Sequence, residues 1–279
     1  LVTGNIDIPT LGTQSWQDEQ VGPRMGYYED TIAPEKMWLI SSNGLHGTSD
    51  FSAYMRDVQR RFYAHFLKGE NNGFEREPHV HLLQEMQETV GEKDSLTLVH
   101  TAAATFDRLP VKTRPMRLWL QPGGQLTDKA PADDRTPSSS YAYPIESPAV
   151  NDQDKSSWAA VSAPEGQQVF TTAPLPQDLS FYGEGSADLY LSSTATDTDL
   201  QVSLSEVRPD GMEMFVQRGW LRASKRQLDD AKSTVLRPTG DFTAATVKML
   251  EPDTPVLMRL ELQKFAHVFR AGSSLRVTI

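Results

Sequence analysis

At 279 residues, with 38% hydrophobic and 23% charged side chains, the chain has the makeup of a globular protein, long enough for one large domain or two modest ones. A net charge of -10 and a pI near 5.1 give no basic footprint, which argues against nucleic acid and membrane surfaces as partners. The lack of cysteine excludes disulfides, thiolate catalysis and Cys-ligated zinc, and leaves a cytoplasmic or an exported location equally open.

Residues 6–15 read as a mostly apolar strand, 23–30 as a short helix opened by Pro23, and 36–42, with Met37-Trp38-Leu39-Ile40, as a second strand of the buried, parallel kind. Together they predict a β-α-β unit. Phe51, Met55, Val58, Phe62 and Phe66 then recur at three- and four-residue steps, the spacing of an amphipathic helix, with Ser49 or Asp50 as its cap and Gly69 as its stop.

After Glu70-Asn71-Asn72-Gly73 the pattern changes to short strand-like runs at 80–83, 96–100, 116–120, 169–172, 187–192, 200–207, 214–221, 243–249, 256–262 and 275–279. Turn residues such as Gln121-Pro122-Gly123-Gly124 and Arg208-Pro209-Asp210-Gly211 separate them, and 127–157, rich in Pro, Ser and Asp, reads as a long surface loop. Many short strands predict a sandwich or barrel. No stretch approaches the roughly 18 apolar residues of a membrane-crossing helix, and residues 1–9 lack a signal-peptide layout, so a soluble chain is expected. The sequence starts at Leu1 without Met and stops at Ile279 inside an alternating run; both ends are expected to be internal to a longer protein.

Parallel strands send the loops that follow them to one edge of the sheet, where α/β proteins place their sites. Asp18 follows the first strand and His46, in Asn43-Gly44-Leu45-His46-Gly47, follows the second, so a carboxylate and an imidazole are expected side by side. On spacing alone, an Asp18 that caps a helix and a solvated His46 fit as well. A hydrolase triad also needs a nucleophile, which in α/β-hydrolases precedes the acid and the base along the chain. No Gly-x-Ser-x-Gly occurs, and none of Ser15, Ser41, Ser42 and Ser49 sits in a strand-turn-helix elbow, so the nucleophile is expected upstream of Leu1.

Trp16-Gln17-Asp18, the His46-Gly47 pair and Arg61-Phe62-Tyr63-Ala64-His65-Phe66-Leu67-Lys68-Gly69 resemble the CocE/NonD hydrolases, the family of cocaine esterase, α-amino acid ester hydrolases and X-Pro dipeptidyl-peptidases. The ordered segments Gly185-Ser186-Ala187-Asp188-Leu189-Tyr190-Leu191, Asp197-Thr198-Asp199, Val207-Arg208-Pro209-Asp210-Gly211, Gly219-Trp220-Leu221-Arg222-Ala223 and Phe269-Arg270-Ala271-Gly272 continue the likeness. The resemblance implies an α/β plus all-β chain: residues 1–76 the C-terminal part of an α/β-hydrolase catalytic domain, and 77–279 a jelly-roll-like β-sandwich.

It further implies Asp18 as triad acid and His46 as base in a serine hydrolase acting on a small ester, amide or short peptide, with no cofactor and with a homo-oligomer left open. Ser41-Ser42-Asn43-Gly44-Leu45 replaces the family's usual Gly-Pro-Trp lead-in to the histidine. Gln20 and Val21 stand where amino-ester hydrolases hold a substrate ammonium with acids; Glu19 is off by one.

The rival reading is a ligand-binding or scaffolding sandwich with an inactive hydrolase remnant. Three lesser candidates are read as structural: His79 and His81 as ordinary strand residues rather than metal ligands, Asp197 and Asp199 as a turn rather than a Ca²⁺ loop, and Trp16, Trp38, Trp119, Trp158 and Trp220 as packing groups rather than a sugar-binding face.

Overall fold

The computed structural model describes residues 2–18, 22, 28, 30–44, 52–90, 96–131, 138–142 and 164–279. The chain divides into two compact units, Leu1–Thr113 with Lys264–His267, and Arg114–Gln263 with Val268–Ile279. The whole is mostly sheet, with a single α-helix among the described residues.

In the first unit, strands β1 (Thr10–Ser15), β2 (Met37–Ser42), β3 (Val80–Val90) and β4 (Leu96–Phe106) form one sheet in that order. β1, β2 and β3 are parallel, and β4 returns antiparallel to β3. β2 lies between two neighbours and all six of its residues are buried, which accounts for its unbroken apolar run. The first strand is shorter than its apolar pattern, starting at Thr10 just past Pro9, which has no N–H to give to a ladder.

Helix α1 (Ala53–Lys68) is capped by Ser52, whose hydroxyl accepts from Met55 N–H at 3.3 Å, so neither Ser49 nor Asp50 is the cap. It ends at Gly69, where φ of +70° lets Gly69 and Glu70 N–H return to the His65 and Ala64 carbonyls. Its buried stripe of Met55, Val58 and Phe62 packs on Trp38, Ile40, Leu83 and Phe74. Phe62 meets Trp38 and Phe74 edge-on at 6.0 and 5.4 Å, so truncating it to Ala would cost about 3–5 kcal/mol. Arg61 anchors the helix to the turn before β3, donating to both Glu77 oxygens at 2.6 and 3.1 Å and to Asp57 at 3.0 Å. The helix expected at 23–30 falls largely outside the described residues.

The first compact unit runs past the change of pattern after Gly73, to Thr113. β3 pairs with β2 from Leu39 opposite Val80 to Ser42 opposite Leu83, and β4 pairs with β3 along its length. The reason is backbone satisfaction: a buried strand such as β2 needs a ladder on each side, and β3 supplies the second.

The second unit holds β5 (Trp119–Gln121), β6 (Gln125–Thr127), β7 (Val169–Thr171), β8 (Leu179–Leu191), β9 (Asp199–Val207), β10 (Glu213–Arg222), β11 (Val256–Phe269) and β12 (Ser274–Thr278). Six of them form a sheet in the order β10-β9-β12-β7-β6-β5, and β11 pairs with β8 in a second sheet. Leu200 and Val202 of β9, Leu221 of β10 and Met258, Leu260 and Leu262 of β11 are buried at alternate positions and share one core, so the two sheets pack on each other.

Gly219 marks the closest approach: a β-carbon there would lie 1.9 Å from the Glu261 carbonyl oxygen. The strand expected at 243–249 is instead a 3₁₀ turn, Ala244–Thr246, because Asp241 accepts from Thr243 N–H and Thr246 donates to the Asp241 carbonyl, local bonds that outcompete the β preference of Thr and Val. β6 was not marked by the apolar pattern; Gly123 and Gly124, at φ of +76° and +73°, turn the chain into it. The 127–157 loop lies mostly outside the described residues.

Candidate active site

The carboxyl ends of β1 and β2 are in register, Gln14 opposite Ser41 and Ser15 opposite Ser42. Both strands turn polar there. Gln14 Nε2 donates to Ser41 Oγ at 3.0 Å, the Ser15 and Ser42 hydroxyls lie 3.4 Å apart, and all four side chains are buried. A last ladder bond runs from Trp16 N–H to the Ser42 carbonyl at 2.9 Å, and Trp16 itself is buried. Beyond it the chains leave the sheet on the same edge, as parallel strands require.

Asp18 is half-buried two residues past Trp16. Its N–H donates to the Ser15 carbonyl at 3.3 Å, and its own carbonyl accepts from Gly22 at 3.2 Å, so the backbone makes a tight turn at the sheet edge. The loop after β2 is tied to this turn: Gly44 N–H donates to Gln17 Oε1 at 2.9 Å, and Asn43 N–H donates to the Leu83 carbonyl of β3 at 3.2 Å. His46 lies outside the described residues, as do Glu19, Gln20 and Val21.

The other sequence candidates are engaged in structure. His79 donates from Nδ1 to the Met37 carbonyl at 2.8 Å and stacks on Trp38 at 4.4 Å. His81, almost fully buried, uses both ring nitrogens: Nε2 donates to the Pro78 carbonyl at 2.8 Å, which leaves Nδ1 to accept from the Tyr54 hydroxyl at 2.6 Å. Burial holds its imidazole below the ordinary histidine pKa, in keeping with a neutral ring. No cluster of metal-ligating side chains occurs among the described residues.

Asp197 accepts from Thr198 and Ser224 N–H at 3.0 and 2.8 Å, while Asp199 is held by the Arg222 guanidinium at 2.8 Å through two bonds. Trp38 is buried, Trp119 is half-buried under Arg117, and Trp220 is 53% exposed, with Arg218 stacked on it at 4.8 Å. A hollow of about 260 Å³ in the second unit is lined by Arg226, Lys248 and Arg259, but both guanidiniums already bind backbone carbonyls and Arg259 also binds Asp188. The sheet edge of the first unit is therefore the better candidate for chemistry. Sequence reasoning weighed Ser15, Ser41 and Ser42 only as nucleophiles and passed over Gln14 and Gln17; the polar ends of two otherwise apolar strands were the available signal.

Residues 72–279 match the family described as the X-Pro dipeptidyl-peptidase C-terminal non-catalytic domain. Candidate serine esterases of Mycobacterium bovis and Mycobacterium tuberculosis are each 25% identical over 234 residues, covering 78% of this chain and 35% of those proteins. The chain thus spans about a third of the length of the curated relatives it matches.

Among solved structures, a CocE/NonD family hydrolase from Staphylococcus aureus superimposes with a TM-score of 0.71 at 20% identity, over 99% of this chain and 47% of that one. An α-amino acid ester hydrolase gives 0.70 at 18%, over 99% and 49%, and an aminopeptidase from a marine sediment Thaumarchaeota archaeon gives 0.69 at 18%, over 98% and 47%. These likenesses show the fold, and the resemblance read from the ordered motifs is borne out. Asp18 and His46 precede the matched stretch, and from residue 72 onward the chain belongs to the X-Pro dipeptidyl-peptidase C-terminal non-catalytic domain family.

Proposed function

We propose that this chain supplies the acid and the base of a serine hydrolase, Asp18 and His46, together with that enzyme's C-terminal jelly-roll domain, and that the nucleophile is a serine outside the present sequence. The observation that supports this reading is the parallel, in-register exit of β1 and β2 on one edge, with Gly44 bonded to Gln17. The open side of the sheet fits as well: β1 is an edge strand among the described residues, where further strands of an α/β-hydrolase sheet would add.

Asp18 would orient the imidazole and stabilise its protonated form. His46 would take the seryl proton and return it to the leaving group as the acyl-enzyme forms and is hydrolysed. The substrate is a small ester, amide or short peptide. Gln20 and Val21 offer no carboxylate to an ammonium, so a free α-amino group should confer less than about a 100-fold advantage in kcat/KM over the des-amino analogue.

The test is labelling of the longer protein by a fluorophosphonate probe, with the isolated 279-residue chain as control. The longer protein should label and hydrolyse a p-nitrophenyl ester, and the isolated chain should do neither. Robust turnover by the isolated chain would misplace the nucleophile. The match of residues 72–279 to a non-catalytic family favours a second reading, a binding or scaffolding sandwich beside an inactive remnant, and an unlabelled longer protein would establish it.

A further inference from the structure

The hollow in the second unit is lined by Arg226, Leu228, Asp230, Lys248, Leu257 and Arg259. Leu257 and Arg259 stand two apart on β11, hence on one face of that strand, and Arg226 follows the 3₁₀ turn Ala223–Lys225 that comes after β10. Leu228 is held by a bridge to Gly240.

The charges on these walls do not balance. Arg226 binds only main-chain carbonyls, those of Ala223 at 2.9 Å, Met249 at 3.4 Å and Lys248, and none of them carries a formal charge. Arg259 is paired with Asp188 at 3.1 Å and binds the Val235 carbonyl at 3.1 Å. Lys248 is exposed, and its ammonium has neither a hydrogen bond nor an ion pair among the described residues. Three cations thus face two carboxylates, Asp188 and Asp230, and one positive charge is left over in a chain of net charge -10.

Donors are left over as well. A guanidinium has five N–H groups; Arg226 spends three of them, and Arg259 keeps both on Nη1. The carbonyls and Asp188 already hold both planes in place, so little side-chain freedom is lost when an anion arrives. Leu228 and Leu257 supply apolar wall beside the cations, and the exposed Val235 and Met249 are residues whose carbonyls the two guanidiniums bind. At about 260 Å³ the hollow is smaller than the roughly 300–1,000 Å³ of pockets for drug-sized ligands, so its occupant has few carbons. A single surplus charge favours a monoanion over a phosphate dianion, which Asp230 would repel more strongly.

We propose that this hollow binds a small aliphatic monocarboxylate, its head on Arg226, Lys248 and Arg259 and its chain on Leu228 and Leu257. The proposal is independent of the reading of Asp18 and His46.

Isothermal titration calorimetry of the 279-residue chain with butyrate, acetate, butyramide and inorganic phosphate tests it, and leucine methyl shifts in nuclear magnetic resonance locate the site. Butyrate should bind at low salt with a Kd on the order of 1 mM and move the methyls of Leu228 and Leu257. Butyramide keeps the shape and loses the charge, and should bind at least about tenfold more weakly. Acetate, two methylenes shorter, should bind roughly three- to tenfold more weakly. Lys248→Gln should weaken butyrate about tenfold, and Lys248→Arg, which keeps the cation, should stay within about threefold of wild type.

No saturable butyrate binding below about 20 mM would overturn the proposal, as would shifts confined to other leucines or an affinity that Lys248→Gln leaves unchanged. Phosphate bound more tightly than butyrate would overturn the monocarboxylate in favour of a general oxyanion. Equal affinities for acetate and butyrate would overturn the contact with the two leucines.

Discussion

The two units treat their charged and polar groups differently. In the second, carboxylates are neutralised where they stand: Asp199 by Arg222, Glu213 by Arg276, Asp178 by Arg270, Glu184 by Arg237 and Asp188 by Arg259. In the first, the helix side is neutralised in the same way, Glu77 and Asp57 by Arg61, but the carboxyl edge of the sheet gathers buried hydroxyls and amides with Asp18 just beyond them. Charge that is consumed by a guanidinium holds a fold together, whereas Asp18 stands at the mouth of parallel strands, the edge where α/β proteins place their sites. An acidic count by itself, 37 Asp and Glu in all, says nothing about which of these a given residue does.

The sharpest way to break this contrast is kinetic. On the proposed acid–base reading, Asp18→Asn in the longer protein should leave the fold intact and lower kcat by up to ~10⁴, because an amide neither selects the right imidazole tautomer nor stabilises imidazolium. Asp199→Asn, at the far side of the contrast, should leave kcat unchanged. Equal effects from the two would erase the distinction.

Packing comes next. Gly219→Ala would place a methyl 1.9 Å from the Glu261 carbonyl oxygen and 2.7 Å from Leu260 Cδ2, in backbone that cannot swing aside as a side-chain tip can. The expected loss is about 3 kcal/mol, read as a lowered denaturant midpoint with an unchanged m-value. A midpoint within error of wild type would mean that β10 and β11 are less tightly apposed.

Lys264 offers a pH test. It is only 7% exposed, and burial pushes its ammonium down to about 8. A pKa depressed on folding means that the unfolded chain holds the proton more tightly, so the contribution to stability is complete above about 10.5 and is lost as pH falls through 8. Wild type should therefore gain on Lys264→Met by roughly 2 kcal/mol between pH 7 and 10, and parallel curves would refute the burial cost. Denaturant titrations across that range measure it.

The smallest effects separate two neighbouring aspartates. Asp197 accepts two backbone N–H groups, and its truncation to Ala should cost about 1–2 kcal/mol. The Asp199–Arg222 pair is exposed on both sides, so Asp199→Ala should cost less than about 1 kcal/mol and lose even that in high salt. Thermal melts of the two variants rank them, and an inverted order would contradict the assignment.

Much of this was legible from the residues. The apolar spacing of Met55, Val58 and Phe62 gave α1 its face, and Met37 to Ile40 announced a strand buried on both sides. What escaped notice was decided by neighbours that local pattern cannot see. The 243–249 segment has β-rich composition, yet Asp241 captures it into a turn. β8 begins at Leu179, well ahead of its apolar signal, and runs through Gly183 and Gly185, the latter lying against Leu262. Gln17 is an ordinary polar loop residue until Gly44 meets it. Asp18 could be singled out as a candidate because an acid after a parallel strand stands out by position, whereas a tie between two loops depends on where both of them go.

The hairpin of β3 and β4 has a consequence for how the molecule can be taken apart. By family membership it opens the C-terminal domain, since the match begins at residue 72, yet it completes the sheet of the first unit. A fragment cut at that family limit would carry away the ladder partner of β2 and leave Leu39 to Ser42 with bare backbone on one flank, an invitation to self-assembly through strand addition. Modularity in sequence and modularity in folding therefore part company in this protein, since the first compact unit runs on to Thr113 and also takes in Lys264–His267.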